Sequence, residues 1–583
     1  MRVLLLHPED LPDRGPWSRE HWDLVIDLGF AGSTTYADWA QTLKCPVLSP
    51  YSFVRQIESY RCVNQIFQQG RGQLLDRVGL DWWEILAMER YQDVLALLLL
   101  RELRGQLPPV LTELWASQPH RLARMGEQVL GVSVKYFRKP GDGRANTVMR
   151  ALQFVRNMRP PQMVEIAFDK WDSGFDLRRH WAKHRRPRLR EACLLMPSAY
   201  SNVTRSVMAY AEQLPRRKFL LLTTRANANP TRKLANVRVG SIASYVHSAD
   251  KTWSEAASLA QEWRTFANRM KDNSEEFKCI SAAGLWDYFP QHLQHGLRLR
   301  EAWTAVFECE PVTGVLCGDD LNYHTRLPLI SAQMRGLKAV YCSHGALDGG
   351  FLFKLPFADS FLVKGDMERD YLQRAAGIPQ EKIVVGAPGR QGPMTPERRS
   401  QDAIVFFSQP YEVLGGRADS IYRELIPSLS SVASAIGRKL IVKLHPFESR
   451  RARQVLINSL VPTSGLSLIE VVDEMEPARV MSRAWCGLTV NSSVAVECAL
   501  QDIPFFLCGW LDLTGMGYLD QFARFDVARV LRAPEEIERI PEMVAGYRPD
   551  PTRLARLWKP ADAHQLEETL FGKRQVILDA CAC

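Results

Sequence analysis

The chain has 583 residues, of which 46% are apolar and 24% charged, with a formal net charge of +9. That length exceeds what one hydrophobic core fills, so two or three domains are expected. The composition is that of a globular chain rather than a disordered or fibrous one. The modest positive charge suits anionic ligands or an anionic membrane face without requiring either.

The opening Met-Arg-Val-Leu-Leu-Leu-His-Pro-Glu-Asp carries too short an apolar run for a secretory signal. The longest other run, 94–100, is far below a bilayer span. A cytoplasmic location is expected. Twelve cysteines are scattered without a Cys-x-x-Cys pair, so neither a metal site nor a disulfide framework is indicated.

Residues 3–6, 24–27 and 47–48 read as strands opening a Rossmann-like sheet. His7, at the end of the first, is a turn residue or lines a cleft. From 53 to about 155 the apolar spacing turns helical, notably over 80–107, with Trp82 and Trp83 expected in the core. This predicts a helical insertion or lid. The densest basic run, 178–190 (Arg-Arg-His-Trp-Ala-Lys-His-Arg-Arg-Pro-Arg-Leu-Arg), reads as a solvated face or a contact for an anionic acceptor or membrane. No nucleic-acid module surrounds it, and no nucleic acid is expected as a partner.

Alternating strands and helices resume at 192. Strands at 312–316 and 339–342 end in Cys-Gly-Asp-Asp-Leu-Asn (317–322) and Ser-His-Gly-Ala-Leu-Asp-Gly-Gly (343–350), and two more follow at 360–363 and 382–385. Glycine, proline and charge then concentrate, so 391–400 is expected to be a linker between a first domain, 1–390, and a second, 401–545. A helical tail is expected over 546–583.

The second domain carries the most informative stretch. Lys-Leu-Ile-Val-Lys-Leu-His-Pro (439–446), Cys-Gly-Leu-Thr-Val-Asn-Ser-Ser (486–493) and Ile-Pro-Phe-Phe-Leu-Cys-Gly (503–509) are apolar runs that stop abruptly in polar residues. Buried parallel strands look like this, and in open α/β sheets ligands sit beyond the carboxyl ends of the strands. Lys443, His445, Pro446, Asn491, Ser492 and Ser493 fall there. A serine before a helix either caps it or, with the free amides and positive dipole end, binds phosphate.

Ser343-His344-Gly345, Ala358-Asp359-x-Phe361-Leu-Val-x-Gly365, Lys382-Ile-x-x-x-Gly386-x-Pro388, Lys443-x-His445-Pro446 and Ser492-Ser493 together resemble the bacterial surface-polysaccharide transferases: capsule Kdo transferases, sialyl- and polysialyltransferases, and CDP-glycerol glycerophosphotransferases. The likeness covers roughly 310–510.

It implies an α/β GT-B fold, two Rossmann-like domains facing across a cleft, and a glycosyltransferase with a nucleotide-sugar donor, most of all a CMP-linked one. It also implies a glycan or glycolipid acceptor, peripheral contact with the inner membrane face, and no cofactor. By the motifs, His445, Ser492 and Ser493 would hold the nucleotide phosphate, and Lys443 would neutralise the departing phosphate or be solvated. Glu497 would reach the ribose or complement the helix dipole. His344, then Asp348, then Asp320 would be the base that deprotonates the acceptor hydroxyl. The alternatives are a non-hydrolysing UDP-sugar 2-epimerase and a non-catalytic GT-B scaffold.

Overall fold

The computed structural model describes residues 1–8, 10–11, 15–52, 57–107, 111–137, 182, 186–225, 228–246, 250–284, 286–389, 400–411, 416–473, 478–512 and 514–572. The expected linker and most of the basic run lie outside these residues, as do 138–155 of the expected insertion and the last eleven residues of the tail.

Among the described residues, eighteen strands form three wholly parallel sheets. The first comprises β1 (Arg2–Leu6), β2 (Leu24–Asp27), β3 (Val47–Leu48), β4 (Glu113–Ala116) and β5 (Val134–Tyr136), in the order β3-β2-β1-β4-β5. The second comprises β6 (Cys193–Ser198), β7 (Lys218–Thr223), β8 (Val237–Ser241), β9 (Val312–Cys317), β10 (Lys338–Cys342), β11 (Ser360–Val363) and β12 (Ile383–Val385), in the order β12-β11-β10-β9-β6-β7-β8. The third holds β13 (Ala403–Phe407), β14 (Lys439–Lys443), β15 (Ile469–Val472), β16 (Ala484–Thr489), β17 (Phe505–Cys508) and β18 (Arg529–Leu531), in the order β15-β14-β13-β16-β17-β18.

All three units repeat one winding, third-second-first-fourth-fifth. In such a sheet the strand order reverses between the first and fourth strands, and a crevice opens at their carboxyl ends. Central strands such as β6 and β13 are buried at every residue, which is why their sequences show no polar alternation.

The expected α/β class and GT-B pair of Rossmann-like lobes are present as the second and third units. The structure differs at the N-terminus. The opening strands do not join the second sheet but form their own, and β4 and β5 fall inside the stretch expected to be helical. Runs as short as Glu-Leu-Trp-Ala and Val-Lys-Tyr are too brief for a strand period to be told from a helix face. The long helices Ala87–Gln106, Asp250–Asn273 and Phe289–Cys309 are present. Trp82 and Trp83 are fully buried as expected, Trp83 among the rings of Phe67, Trp263, Phe266, Phe277 and Trp286.

The first unit is fastened to both others. Glu84 accepts from Arg326 (2.7 Å) and from the amide of Leu355 (2.7 Å) in the second. Arg417 of the third enters the carboxyl end of the first sheet and pairs with the buried Asp27 (2.6 Å). It also donates to the carbonyls of His7 (3.0 Å) and Pro8. His7 thus lies in a junction between units.

The C-terminal segment returns to the second lobe. Ala387 bridges Pro560, and the helix Ala563–Phe571 packs Leu566 and Leu570 against Leu316, Val340 and Leu362. A Cβ at Gly365 would lie 2.5 Å from the backbone of Arg556 and Leu557, so this crossing requires glycine. Of the basic run, Arg186 is no solvated cation. It donates to the Ser244 carbonyl (2.9 Å) and lies over the Tyr245 ring, 5.1 Å from its centroid.

Candidate functional site

The crevice of the third unit opens between β13 and β16. Asn491, just past β16, clips it together. Its amide nitrogen donates to Asp512 (2.9 Å) and Thr514 (3.1 Å) beyond β17, while it exchanges two hydrogen bonds with Gln409 beyond β13 (2.7 and 3.1 Å). Every polar group of the Asn491 side chain is used, so this residue shapes the crevice rather than binding in it.

Ser492, the residue before the N-cap of the helix Val494–Ala499, accepts from the Val494 amide (3.4 Å). Ser493 is exposed, with no side-chain capping bond. The helix is only six residues long, shorter than its sequence suggests. The two hydroxyls, more than a macrodipole, are what this helix offers an anion.

His445 follows β14, two strands from β16, hence roughly 10 Å from Ser492 at the usual strand spacing. The buried Glu448 holds its turn. It accepts from the His445 amide (2.9 Å), the Arg453 guanidinium (2.9 Å) and the Tyr422 hydroxyl (3.1 Å). The ring's Nδ1 accepts from the Phe447 amide (3.2 Å). Nδ1 is therefore unprotonated, and the neutral ring carries its hydrogen on Nε2, a donor with no partner among the described residues.

Burial, with repulsion from Lys443, lowers the His445 pKa to about 4, so the donor is neutral at pH 7. An unfolded imidazole titrates near 6.5 and so takes up a proton that the native ring refuses. Stability is thus expected to fall as pH drops from about 6.5 towards 4, and His445→Gln should flatten that slope in a pH series of thermal melts. A slope unchanged by the substitution would show that other groups carry it. Lys443 itself is buried and donates to the Leu444 carbonyl (2.6 Å), so its charge is sheltered from solvent.

Across the cleft, the loop after β10 carries His344. Its Nδ1 lies 3.0 Å from the Gly318 carbonyl. A carbonyl only accepts, so Nδ1 bears the hydrogen and Nε2 keeps the lone pair. The tautomer is the opposite of that of His445. The loop is pinned by Lys364, whose ammonium donates to the carbonyls on either side of the histidine, Ser343 (2.8 Å) and Gly345 (2.7 Å), and pairs with Glu368 (3.1 Å).

The two other candidates for the base are engaged elsewhere. Asp320 is buried against the Lys354 ammonium, with Arg326 at 3.6 Å. Burial raises its pKa, and those cations draw it back. Asp348 caps the short helix Gly349–Leu352, accepts from the Gly350 amide (2.9 Å) and the Tyr341 hydroxyl, and lies 3.7 Å from Lys354. Both carboxylates stabilise the loop floor. Asp319 likewise holds the Leu321 amide (2.9 Å) and Asn322 (2.6 Å) in a turn.

The lobes meet around these groups. Ala346 of the histidine loop packs in one cluster with Ala495 and Val496 of the serine helix, and the Gly349 amide donates to the Tyr518 hydroxyl (2.7 Å). Glu497 reaches solvent, yet it is crowded by the facing lobe. That desolvation raises its pKa, while Arg205 and Lys364 opposite lower it. Arg205 is exposed and faces Glu497 from the other lobe.

The sequence pointed to the strand ends but not to Gln409, Glu448, Lys364 or Arg205. Two signals were there. Glu448 stands three residues after His445, at the spacing by which a carboxylate holds a turn, and Lys364 occupies an unassigned position just before Gly365. Among the described residues, no three His, Cys, Asp or Glu side chains are grouped to hold a metal, and no helix is long and apolar enough to cross a membrane.

No protein-family model matches the chain, and no curated protein sequence does either. Solved structures similar in fold include the UDP-GlcNAc 2-epimerase of Methanocaldococcus jannaschii, at 11% identity over 65% of this chain and 98% of that one, TM-score 0.39. They also include the calicheamicin glycosyltransferase CalG4, at 12% over 66% and 95%, TM-score 0.37. The wall teichoic acid polymerase TagF is similar at 11% over 73% and 96%, TM-score 0.35.

Proposed function

We propose that the chain is a glycosyltransferase that moves a sugar from a nucleotide-activated donor, CMP-linked in the first instance, to a hydroxyl of a glycan or glycolipid. The observation that carries this reading is a pair of imidazoles of opposite tautomer, one at a strand end of each lobe. His445 presents a fixed N–H at the crevice of the third unit, where a phosphate needs a donor. His344 presents a fixed lone pair from the facing lobe, where an acceptor hydroxyl needs a base. Ser492 and Ser493 add hydroxyls to the phosphate side. Arg205 brings positive charge to the leaving group, and Glu497 meets the ribose.

The epimerase alternative needs two or three carboxylates in the cleft. Asp319, Asp320 and Asp348 are all taken up by their own loops, which favours transfer.

A thermal-shift panel of CMP, CDP, UDP and GDP tests the donor side. CMP or CDP is expected to stabilise the protein. His445→Ala is expected to weaken that binding roughly 10- to 100-fold, the loss of one hydrogen bond to a charged group, about 1.5–3 kcal/mol. A protein indifferent to all four nucleotides would leave only the scaffold reading standing. Transfer is expected to continue in EDTA, with Arg205 taking the phosphate charge. Activity abolished by EDTA and restored by manganese would overturn that part of the scheme.

A further inference from the structure

A second cavity lies apart from the crevice between β13 and β16. It is a groove of roughly 660 Å³ along β18, the free edge of the third sheet, and it is bounded by β17, the helix Tyr518–Arg524, the end of the helix Ile540–Ala545 and residues 546–548. Its volume suits a ligand of mononucleotide size. One wall is apolar and half-buried: Trp510, Leu519, Val530, Met543 and Tyr547. β17 and β18 close up at its floor because residue 509 is glycine; a Cβ there would sit 2.6 Å from Val530 and 2.8 Å from the Leu531 carbonyl.

The rim is cationic. Arg529 and Arg532 are exposed, and neither guanidinium has a partner among the described residues. Arg548 is stiffened by donating to the carbonyls of Ala545 (3.3 Å) and Tyr547 (2.7 Å). Two carboxylates share the lining. Asp526 is occupied, accepting from the Asp550 amide (2.9 Å) with Arg553 at 4.0 Å, which leaves Asp520 alone against three arginines. Guanidinium forks without carboxylate partners, beside an apolar wall, match a phosphate with a flat or alkyl body.

We propose that this groove is a second binding site, separate from the crevice at β13 and β16, for a phosphate-bearing ligand whose body packs on Trp510 and Met543. It does not depend on the transfer reaction. The indole N–H of Trp510 donates to Glu424 (3.0 Å), which also holds Ser33 (2.7 Å) and the Thr34 amide (3.0 Å) of the first unit. The wall is therefore rigid, and its indole is a built-in reporter.

The test is titration of the full chain with AMP, with dihexanoyl phosphatidic acid and with inorganic phosphate, followed by tryptophan fluorescence and thermal shift. The flat and alkyl probes distinguish the two kinds of body. At least one of them is expected to give a saturable response that Trp510→Phe removes from the fluorescence. The Arg529→Glu/Arg532→Glu pair should weaken its binding tenfold or more, while Ser492→Ala/Ser493→Ala leaves it unchanged. Because both arginines are exposed, the charge reversal should fold, and an unshifted melting temperature without ligand verifies this. Three results would each overturn the proposal: no saturable response to either bodied probe, a response lost in the serine variant but kept in the arginine variant, or inorganic phosphate binding as tightly as the bodied probes.

Discussion

Replacing Glu84 with alanine is expected to destabilise the join between the first and second units by about 3–5 kcal/mol. Glu84 is 1% exposed and so is its partner Arg326. One carboxylate oxygen takes Arg326 and the Leu355 amide, and the other takes Arg71 (2.9 Å). Removing it leaves Arg326 buried with Asp320 at 3.6 Å and only the carbonyls of Leu355 (3.2 Å) and Asp320 (3.4 Å) to donate to. Lys354 already claims that same aspartate. The penalty comes from the stranded charge rather than from the value of the pair, so Glu84→Met with Arg326→Leu should restore much of the loss. Urea melts followed by tryptophan fluorescence report it, because Trp83 and its surrounding rings sit beside the network. A Glu84→Ala midpoint within 1 kcal/mol of the parent would mean that water already reaches the cluster.

Much of this arrangement was legible in the sequence, for a physical reason. Buried parallel strands write long apolar runs, and the points where 439–443, 484–489 and 505–508 stop are the points where the chain leaves the sheet. That placed His445 and Ser492-Ser493 at strand ends before any coordinate. What stayed hidden depends on contacts distant in sequence. Nothing local says that Asp320 and Asp348 will share Lys354, or that Lys364 will straddle His344 from twenty residues away. The first unit's separate sheet was hidden for another reason. Its last two strands are four and three residues long, below the length at which a period of two declares itself. Nor does anything local say that Arg417 will reach Asp27 and help join the third unit to the first.

His344→Ala is expected to lower kcat by roughly 10²- to 10⁴-fold, the usual contribution of a positioned general base, with nucleotide affinity unchanged. The argument rests on the tautomer. With Nδ1–H committed to the Gly318 carbonyl, the proposed base would use Nε2 without the ring turning. Lys364→Met supplies the discriminating arm. Lys364 touches neither ring nitrogen; it holds the carbonyls of Ser343 and Gly345. Its loss should let the ring swing, lowering kcat while the His344 imidazole remains present. Lys364→Arg should recover part of the rate, because a guanidinium can still donate to both carbonyls. If His344→Ala turns over at the parental rate, the base lies elsewhere, whatever the nucleotide panel shows. If Lys364→Met leaves kcat intact while His344→Ala does not, the loop is rigid without its ammonium clamp, and the Gly318 hydrogen bond alone aims the ring.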